Sequence, residues 1–301
     1  MTNLVPRQQP QFLGKVLTRL MLMLLALVYS TLSVADTSVW MVRSGTDTIY
    51  LGGTVHLLRP SDYPLPQEFE EAYGNSSHLY FETDISAMND MATQMALLQE
   101  LTYSDERTLQ SVLNAEAYEA LAVHLQSIGM PIMMMDKFKP GMVVSTLQVL
   151  EFQKLGFTPQ GVDAHFHNRA VSDGKQIGQL ETLEEQIQYL ANMGAGNESE
   201  FILLSLRDLT QISTMMEDLI GAWRQGDADA LDALFVEDMR EESEDLYDSL
   251  LVERNNNWLP VIEALFESAG TEFILVGAAH LVGESGLLKQ LQDKGYAVQK
   301  I

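Results

Sequence analysis

The sequence predicts an α/β fold, in which a mixed central sheet is flanked by helices and the central portion is helix-rich. Two observations support this prediction. Strand-like apolar runs lie near both ends of the chain, within residues 39–51 and 272–276. The segments between them are mostly helical in pattern, and a chain that combines strands and helices in this way is typical of α/β proteins.

The N-terminal part begins with two predicted strands, 39–42 and 48–51, which a turn at residues 44–47 joins. A short helix is predicted at 64–74, because a proline suits the first helical turn. The segment 77–82, with the sequence SHLYFE, is predicted to be a strand that ends in an acid.

Helices dominate the middle of the chain. Asn114 suits an N-cap, and Gly129 and Gly156 suit helix C-terminal ends. Thr182 and Glu185 have the spacing of a capping box. The predicted elements, in order, are helices 85–101, 114–129, 140–156 and 161–172, strand 175–180, a helix from 182, mostly helical residues 199–268 with breaks near 226–227 and 241–245, strand 272–276, helix 284–294 and strand 296–301.

The first 35 residues are typical of a secretory signal segment. Basic residues precede an apolar stretch, and the Ser-Val-Ala sequence at 33–35 forms a small-x-small cleavage pattern. The uncharged run 20–35 has 16 residues, fewer than the ~20 that span a bilayer. We therefore expect cleavage after Ala35, export to the periplasm and a single domain at 36–301. The alternative is an uncleaved N-terminal anchor, which would be the protein's contact with the membrane.

Charge and cysteine content exclude several classes of protein. The chain carries 42 acidic and 18 basic residues, a net charge of −24, which repels nucleic acid and anionic membranes. It contains no Cys, so we expect neither disulfides nor a lipid-modified cysteine. The sequence does not define the oligomeric state.

Two distant segments share one pattern, an apolar run followed by Gly-x-x-His. One ends at His56 and the other at His280, each beyond a predicted strand. Gly after a strand allows other groups to approach closely, and ligand sites in open α/β sheets lie beyond the carboxyl ends of the strands. Both imidazoles are therefore candidates for metal ligation or acid–base chemistry. The alternative is that each ring only satisfies buried backbone groups.

Glu82 lies at the C-terminal end of the predicted strand 77–82. A carboxylate there is costly to bury unless it is paired or bound to a metal. Two His and one carboxylate form a recurring metal-binding set with open positions for water or substrate. A divalent cation at His56, Glu82 and His280 is therefore one interpretation of Glu82. An exposed strand-end acid that precedes turn residues is the other, and the spacing favours neither.

Four further polar residues are catalytic candidates. Glu181 directly follows a predicted strand and suits a general base, a partner of another site residue or a helix-start carboxylate. Arg254 directly precedes three consecutive Asn residues, of which Asn255 is the first, and Asn disfavours a helix. Arg254 suits binding of a carboxylate or an oxyanion. A structural ion pair of Arg254 with Glu181 or Glu253 explains its position equally well. Asp163 is either a helix cap or part of a metal site.

Five segments together resemble the TraB/GumN family, which includes the Tiki metalloproteases of animals. They are LGGTVHLL (51–58), LYFETD (79–84), GVDAHFHNRAVSDGKQIGQLETLEEQ (161–186), ERNNNW (253–258) and LVGAAHLVGESGLLKQLQDKGYAV (275–298). They occur in the order of the family and span nearly all of the chain after residue 35. The resemblance implies a fold similar to that of erythromycin-esterase and ChaN-type α/β proteins.

The resemblance also implies peptide cleavage that depends on a divalent metal held by His56, Glu82 and His280. Mn²⁺ or Co²⁺ follows from the Tiki analogy, and Zn²⁺ suits the same ligands. The catalytic candidates on family motif positions are Glu82, Glu181, Arg254, Asn255 and Asp163. We therefore expect an extracytoplasmic metal-dependent hydrolase, a peptidase by this resemblance, with a peptide or small-molecule substrate. The alternative is a non-catalytic envelope protein that binds a metal, haem or a peptide.

Overall fold

A computed structural model describes residues 37–301 of the chain, apart from the side chains of Met88 and Asn89. The predicted signal segment lies outside these residues, so its cleavage and the domain boundary at residue 36 remain predictions. Residues 37–301 form one compact unit. Within it, no helix has the length and apolar character needed to cross a bilayer.

One mixed sheet of six strands confirms the predicted fold class. The strands are β1 Val39–Ser44, β2 Asp47–Thr54, β3 His78–Phe81, β4 Gln176–Gln179, β5 Glu272–Gly277 and β6 Ala297–Lys300. Their spatial order is β4-β3-β5-β2-β1-β6. The first four in this order are parallel neighbours, and β1 runs antiparallel to both β2 and β6. The carboxyl ends of β2, β3 and β5 therefore lie at one edge of the sheet.

Strand β5 lies in the middle of the sheet, between β3 and β2. Its first five residues are buried, as expected for a parallel strand that is covered on both faces. The prediction that the strand ends before Gly52 and Gly53 is wrong, because β2 continues through both to Thr54. A Cβ added to Gly52 would lie 2.8 Å from side-chain atoms of Leu275 and Phe273, so the glycine makes room for β5 residues.

Helices fill most of the chain between β3 and β5. The α-helices are α1 Gln67–Asn75, α2 Met91–Glu100, α3 Leu109–Val112, α4 Ala115–Ser127, α5 Pro140–Lys154, α6 Val162–Asp173, α7 Leu183–Asn192, α8 Glu198–Leu209, α9 Ile212–Gln225, α10 Ala228–Leu231, α11 Asp238–Glu242, α12 Glu244–Tyr247, α13 Glu253–Leu265 and α14 Leu287–Asp293. Short 3₁₀ helices lie at Pro60–Asp62, Ile85–Asn89, Ile132–Met134 and Ala278–His280. Two π-helical segments lie at Asp232–Glu237 and Asp248–Val252.

Caps explain most of the helix boundaries. Asn114 caps α4, and Thr182 forms the predicted capping box with Glu185 at the start of α7. The prediction of a single helix at 85–101 is wrong, because Asp90 caps α2 after a 3₁₀ turn and so divides the segment.

The C-terminal half departs from the predicted pattern in two places. Helix α14 begins at Leu287, three residues later than predicted, because Gly286 is its N-cap. The run 228–265 contains both π-helical segments, for which the sequence pattern gives no signal. The predicted breaks near 226–227 and 241–245 are confirmed, since Gly226 ends α9 and Ser243 separates α11 from α12.

The main core packs around the sheet, and a second apolar cluster joins α4, α5 and α8. Trp223 of α9 and Trp258 of α13 are fully buried in the main core. Trp223 Nε1 donates a hydrogen bond to the Gly53 carbonyl at 2.7 Å. This bond ties α9 to the end of β2, where the candidate site begins.

Candidate functional site

Three predicted site residues meet beyond the carboxyl ends of β2, β3 and β5. The parallel pairing of β2 and β5 places Thr54 opposite Gly277, and His56 and His280 follow these positions closely. Glu82 comes directly after β3, and its side chain is buried. Its Oε1 accepts a hydrogen bond from the Gly277 N–H at 2.7 Å, which joins the end of β3 to the end of β5.

The side chains of His56, Glu82 and His280 all approach the backbone of Gly277. A Cβ added there would lie 3.2 Å from Glu82 Oε1, 3.6 Å from His280 Cδ2 and 3.8 Å from His56 Nε2. His280 Nε2 lies 4.0 Å from Glu82 Oε1. The three predicted metal ligands therefore border one small volume, although they come from distant parts of the sequence.

Asp163, in the first turn of α6, holds the His56 ring. Its Oδ2 lies 2.8 Å from His56 Nδ1, and because a carboxylate only accepts, Nδ1 is the donor. A Cβ on Gly161 would lie 2.3 Å from the His56 carbonyl, so a glycine is needed where α6 approaches this loop. The Asp163 carboxylate raises the pKa of His56 to about 9. The His56 side chain is 62% exposed, so its Nε2 is open to solvent and ligands.

Asn255 fixes the ring of His280. The Asn255 amide donates to the carbonyls of His280 and Ser285, at 3.1 and 2.9 Å, so its Oδ1 must be the acceptor for His280 Nδ1 at 2.8 Å. The other ring nitrogen, Nε2, therefore carries the lone pair. Burial lowers the pKa of His280 to about 3, so the ring is neutral at physiological pH.

Arg254 connects the site to two buried carboxylates. Its guanidinium donates to Glu181 through Nε and Nη2, at 3.1 and 2.7 Å, and Nη2 also donates to Glu82 Oε2 at 2.6 Å. Nη1 donates to His280 Nε2 at 3.1 Å. Trp258 Nε1 gives Glu181 a further hydrogen bond at 3.1 Å. The ion pair of Arg254 with Glu181 that the sequence left open is therefore present, and it forms part of a larger network.

The pKa values of Glu82 and Glu181 are shifted in opposite directions. Burial alone would raise the pKa of Glu82, but the neighbouring His280 and Arg254, with the Gly277 N–H, lower it to about 2. Burial raises the pKa of Glu181, and Arg254 opposes this effect. Glu82 is therefore a carboxylate over the whole physiological pH range.

Two cavities, each of about 240 Å³, lie beside the His56–Glu82 pair, and both are lined by these two residues. We call the first the apolar cavity; its remaining lining residues are Thr54, Val55, Leu219, Phe235, Leu251, Arg254, Gly277, Ala278, Ala279 and His280. We call the second the polar cavity; its remaining lining residues are Phe81, Thr83, Ile85, Asp163 and Gln186. A substrate that reached both cavities would pass across His56 and Glu82.

The donor chemistry of this cluster fits a divalent metal ion. Two imidazoles and one carboxylate border one volume, and each ring has an outer partner that fixes its Nδ1, as is usual for metal-bound His. Within residues 37–301, however, no three His, Asp or Glu side chains lie in positions that could hold an ion without rearrangement. Arg254 Nη1 donates a hydrogen bond to His280 Nε2, so this guanidinium would have to move aside for His280 to coordinate a metal.

The structure brings together all seven predicted site residues and gives them different positions. Glu181 and Asn255 line neither cavity. Glu181 contacts Arg254, and Asn255 contacts His280. Trp258 was missed as a site residue. It follows Arg254 by four positions on α13, a helical spacing that could have identified it as a neighbour.

The four other histidines lie outside this cluster. His165 and His167 both lie on α6, where a spacing of two residues directs them differently. His167 is buried with its ring edge-on to Phe81, whereas His165 contacts Tyr63. The last two are His78, 3.5 Å from Glu272 Oε1, and His124 in the last turn of α4.

The sequence profile of the TraB/PrgY/gumN family matches residues 38–300. The chain belongs to the TraB/PrgY/gumN family. This confirms the resemblance found in the sequence, and the matched region contains every residue of the site. No curated protein and no solved structure matches the chain, so the expected likeness to erythromycin-esterase and ChaN-type folds stays a prediction.

Proposed function

We propose that this member of the TraB/PrgY/gumN family is a metal-dependent hydrolase that cleaves peptide bonds outside the cytoplasm. One observation carries the proposal. His56, His280 and Glu82 border one volume around Gly277, and that volume opens on two cavities. The choice of peptides and the location rest on the family resemblance and on the predicted signal segment 1–35.

A bound Mn²⁺, Co²⁺ or Zn²⁺ would supply Lewis-acid activation of water and of the substrate carbonyl. His56 Nε2, His280 Nε2 and the Glu82 carboxylate would hold the ion. Asp163 and Asn255 would keep the two rings in the tautomer that presents Nε2. A ring whose Nδ1 is already held by a hydrogen bond loses little orientational freedom when Nε2 binds an ion, so the site is partly preorganised.

The chain's own charges assign different tasks to Glu82 and Arg254. A carboxyl group whose pKa is about 2 is a weak base, so Glu82 suits ligation better than proton transfer. Arg254 lines the apolar cavity, and Glu181 holds its guanidinium through two hydrogen bonds. Arg254 would bind negative charge that develops on a substrate oxygen after one of its N–H groups leaves its present partner, and Glu181 would be its positioning residue.

The test is digestion of a peptide library by the purified protein with and without a chelator. We expect cleavage that the chelator abolishes and that added Mn²⁺, Co²⁺ or Zn²⁺ restores. His56→Ala and His280→Ala should both remove it, whereas the matched control His124→Ala, a partly exposed residue of α4, should not. Cleavage that survives in both site variants would overturn the proposal. N-terminal sequencing of the exported protein checks the location.

A second candidate is hydrolysis without a metal, and the contact between Arg254 and His280 Nε2 favours it. Here His56, which Asp163 keeps protonated at neutral pH, would act as the general acid that protonates the leaving group. Cleavage that resists the chelator but is lost in His56→Ala would support this candidate. Metal binding with no cleavage of any peptide would instead support the non-catalytic binding protein.

A further inference from the structure

We propose that the apolar cavity binds one large apolar side chain of a peptide substrate, and that Phe235 and Leu251 determine this specificity. This inference rests on the proposed peptide hydrolysis and names the substrate class. Its own test uses binding alone.

The walls of the apolar cavity favour an uncharged group. The charged or titratable side chains that line it are His56, Glu82, Arg254 and His280, which all belong to the candidate site. The other side chains are aliphatic, aromatic or a hydroxyl. The Arg254 guanidinium in this wall is already paired with Glu82 and Glu181, so a substrate carboxylate would have to compete with both for it. A substrate ammonium would lose its hydration beside a Glu82 carboxylate that already has Arg254 as its partner.

The two π-helical segments shape this cavity. Phe235 belongs to Asp232–Glu237 and Leu251 belongs to Asp248–Val252, and each segment supplies one side chain to the lining. The wider turn of a π segment changes where side chains point relative to the flanking α-helix, and such segments occur often at functional sites. The second segment leads directly into α13, which carries Arg254. One helical run therefore builds both the cavity wall and part of the site.

The size of the cavity indicates the size of the group. A cavity of ~150 Å³ lined by apolar residues holds benzene. The apolar cavity measures about 240 Å³, which is enough for a phenylalanine or leucine side chain with part of its backbone. The rest of the peptide would then continue past His56 and Glu82 into the polar cavity.

The test is a binding titration by ligand-observed NMR with the mature protein in chelator, so that hydrolysis plays no part. The probes are N-acetyl-phenylalanine amide and N-acetyl-glutamate amide. We expect the phenylalanine amide to bind at least tenfold more tightly. Leu251→Trp, which fills the cavity, should weaken this binding at least tenfold, and Phe235→Ala, which enlarges it, should shift the preference to N-acetyl-tryptophan amide.

Some results would overturn the inference. They are equal affinity for the two probes, no binding of either, or unchanged binding in folded Leu251→Trp and Phe235→Ala. A protein that binds the phenylalanine amide as expected but cleaves no peptide would refute the hydrolase proposal and leave this cavity assignment intact.

Discussion

Thr54 and Gly277 lie opposite each other in the parallel pair β2–β5, and this register brings His56 and His280 to the same point. The two strands come from opposite ends of the sequence. The site therefore forms only when the sheet is complete, and a ligand of both histidines binds the native state but not the unfolded chain. Such a ligand should raise the melting temperature with its concentration.

Gly277→Ala tests the shared volume without removing a ligand. Its backbone, at φ −49° and ψ 135°, accepts alanine, so we expect the variant to fold. The new methyl would lie 3.2 Å from Glu82 Oε1 and close to both rings, so metal affinity should fall, by roughly the 10–100-fold typical of disturbed metal sites. The measurement is calorimetric titration with Mn²⁺. Gly221→Ala on α9, where nothing lies within 4 Å, is the control. Equal affinities in the two variants would contradict the prediction.

Asp163→Asn should change how stability depends on pH. Asp163 raises the pKa of His56 from 6.5 to about 9. The charged pair therefore stabilises the folded protein fully below about pH 6.5, and this contribution is lost as the pH rises through about 9. In the metal-free variant, the free energy of unfolding should decline less between pH 6.5 and 9 than in the wild type. Urea unfolding at several pH values across this range measures the decline. An equal decline in the two proteins would rule out the prediction.

Arg254→Leu should destabilise the fold strongly. The substitution leaves Glu82 and Glu181 buried without their shared cation, and breaking a buried ion pair costs about 3–5 kcal/mol. Arg240→Leu is the comparison, because Arg240 lies 3.9 Å from Glu237 with both side chains half exposed. An exposed pair of this kind contributes ~0–1 kcal/mol. Denaturant unfolding of both variants checks the difference, which should vanish if the network is dispensable.

Asn255→Leu should release the orientation of the His280 ring. Without Oδ1, His280 Nδ1–H loses its acceptor, while Arg254 Nη1 still donates to Nε2 and keeps the lone pair there. We expect metal affinity to drop about 10–100-fold, because the ring is no longer fixed for coordination. Nitrogen-15 NMR of the imidazole reports whether Nδ1–H keeps its hydrogen bond. Asn256→Leu, at the exposed neighbouring position, should change neither quantity, and similar behaviour of the two variants would count against a positioning role.

The sequence was sufficient to predict the fold class and which residues meet. Each Gly-x-x-His segment follows an apolar run, and parallel neighbours have their carboxyl ends at one edge, so His56 and His280 could be expected to approach each other. Glu82 was predictable in the same way, as an acid at the end of β3. The capping box at Thr182 and the N-cap at Asn114 follow from local spacing and were predicted correctly.

What the sequence left open depends on long-range packing. Arg254 could equally well pair with a neighbour on its own helix, and only the assembled sheet places both Glu82 and Glu181 around it. Phe235 and Leu251 are ordinary apolar residues in a helical pattern. Their position in the apolar cavity arises from the π-helical segments, which spacing alone does not signal.

The most direct test of a shared metal is a Co²⁺ titration of the chelator-treated protein, followed by visible absorption. We predict one ion per chain, a loss of the signal in both His56→Ala and His280→Ala, and an unchanged signal in His124→Ala. Co²⁺ binding with the same stoichiometry and spectrum in both site variants would contradict the proposal that these two imidazoles hold one cation.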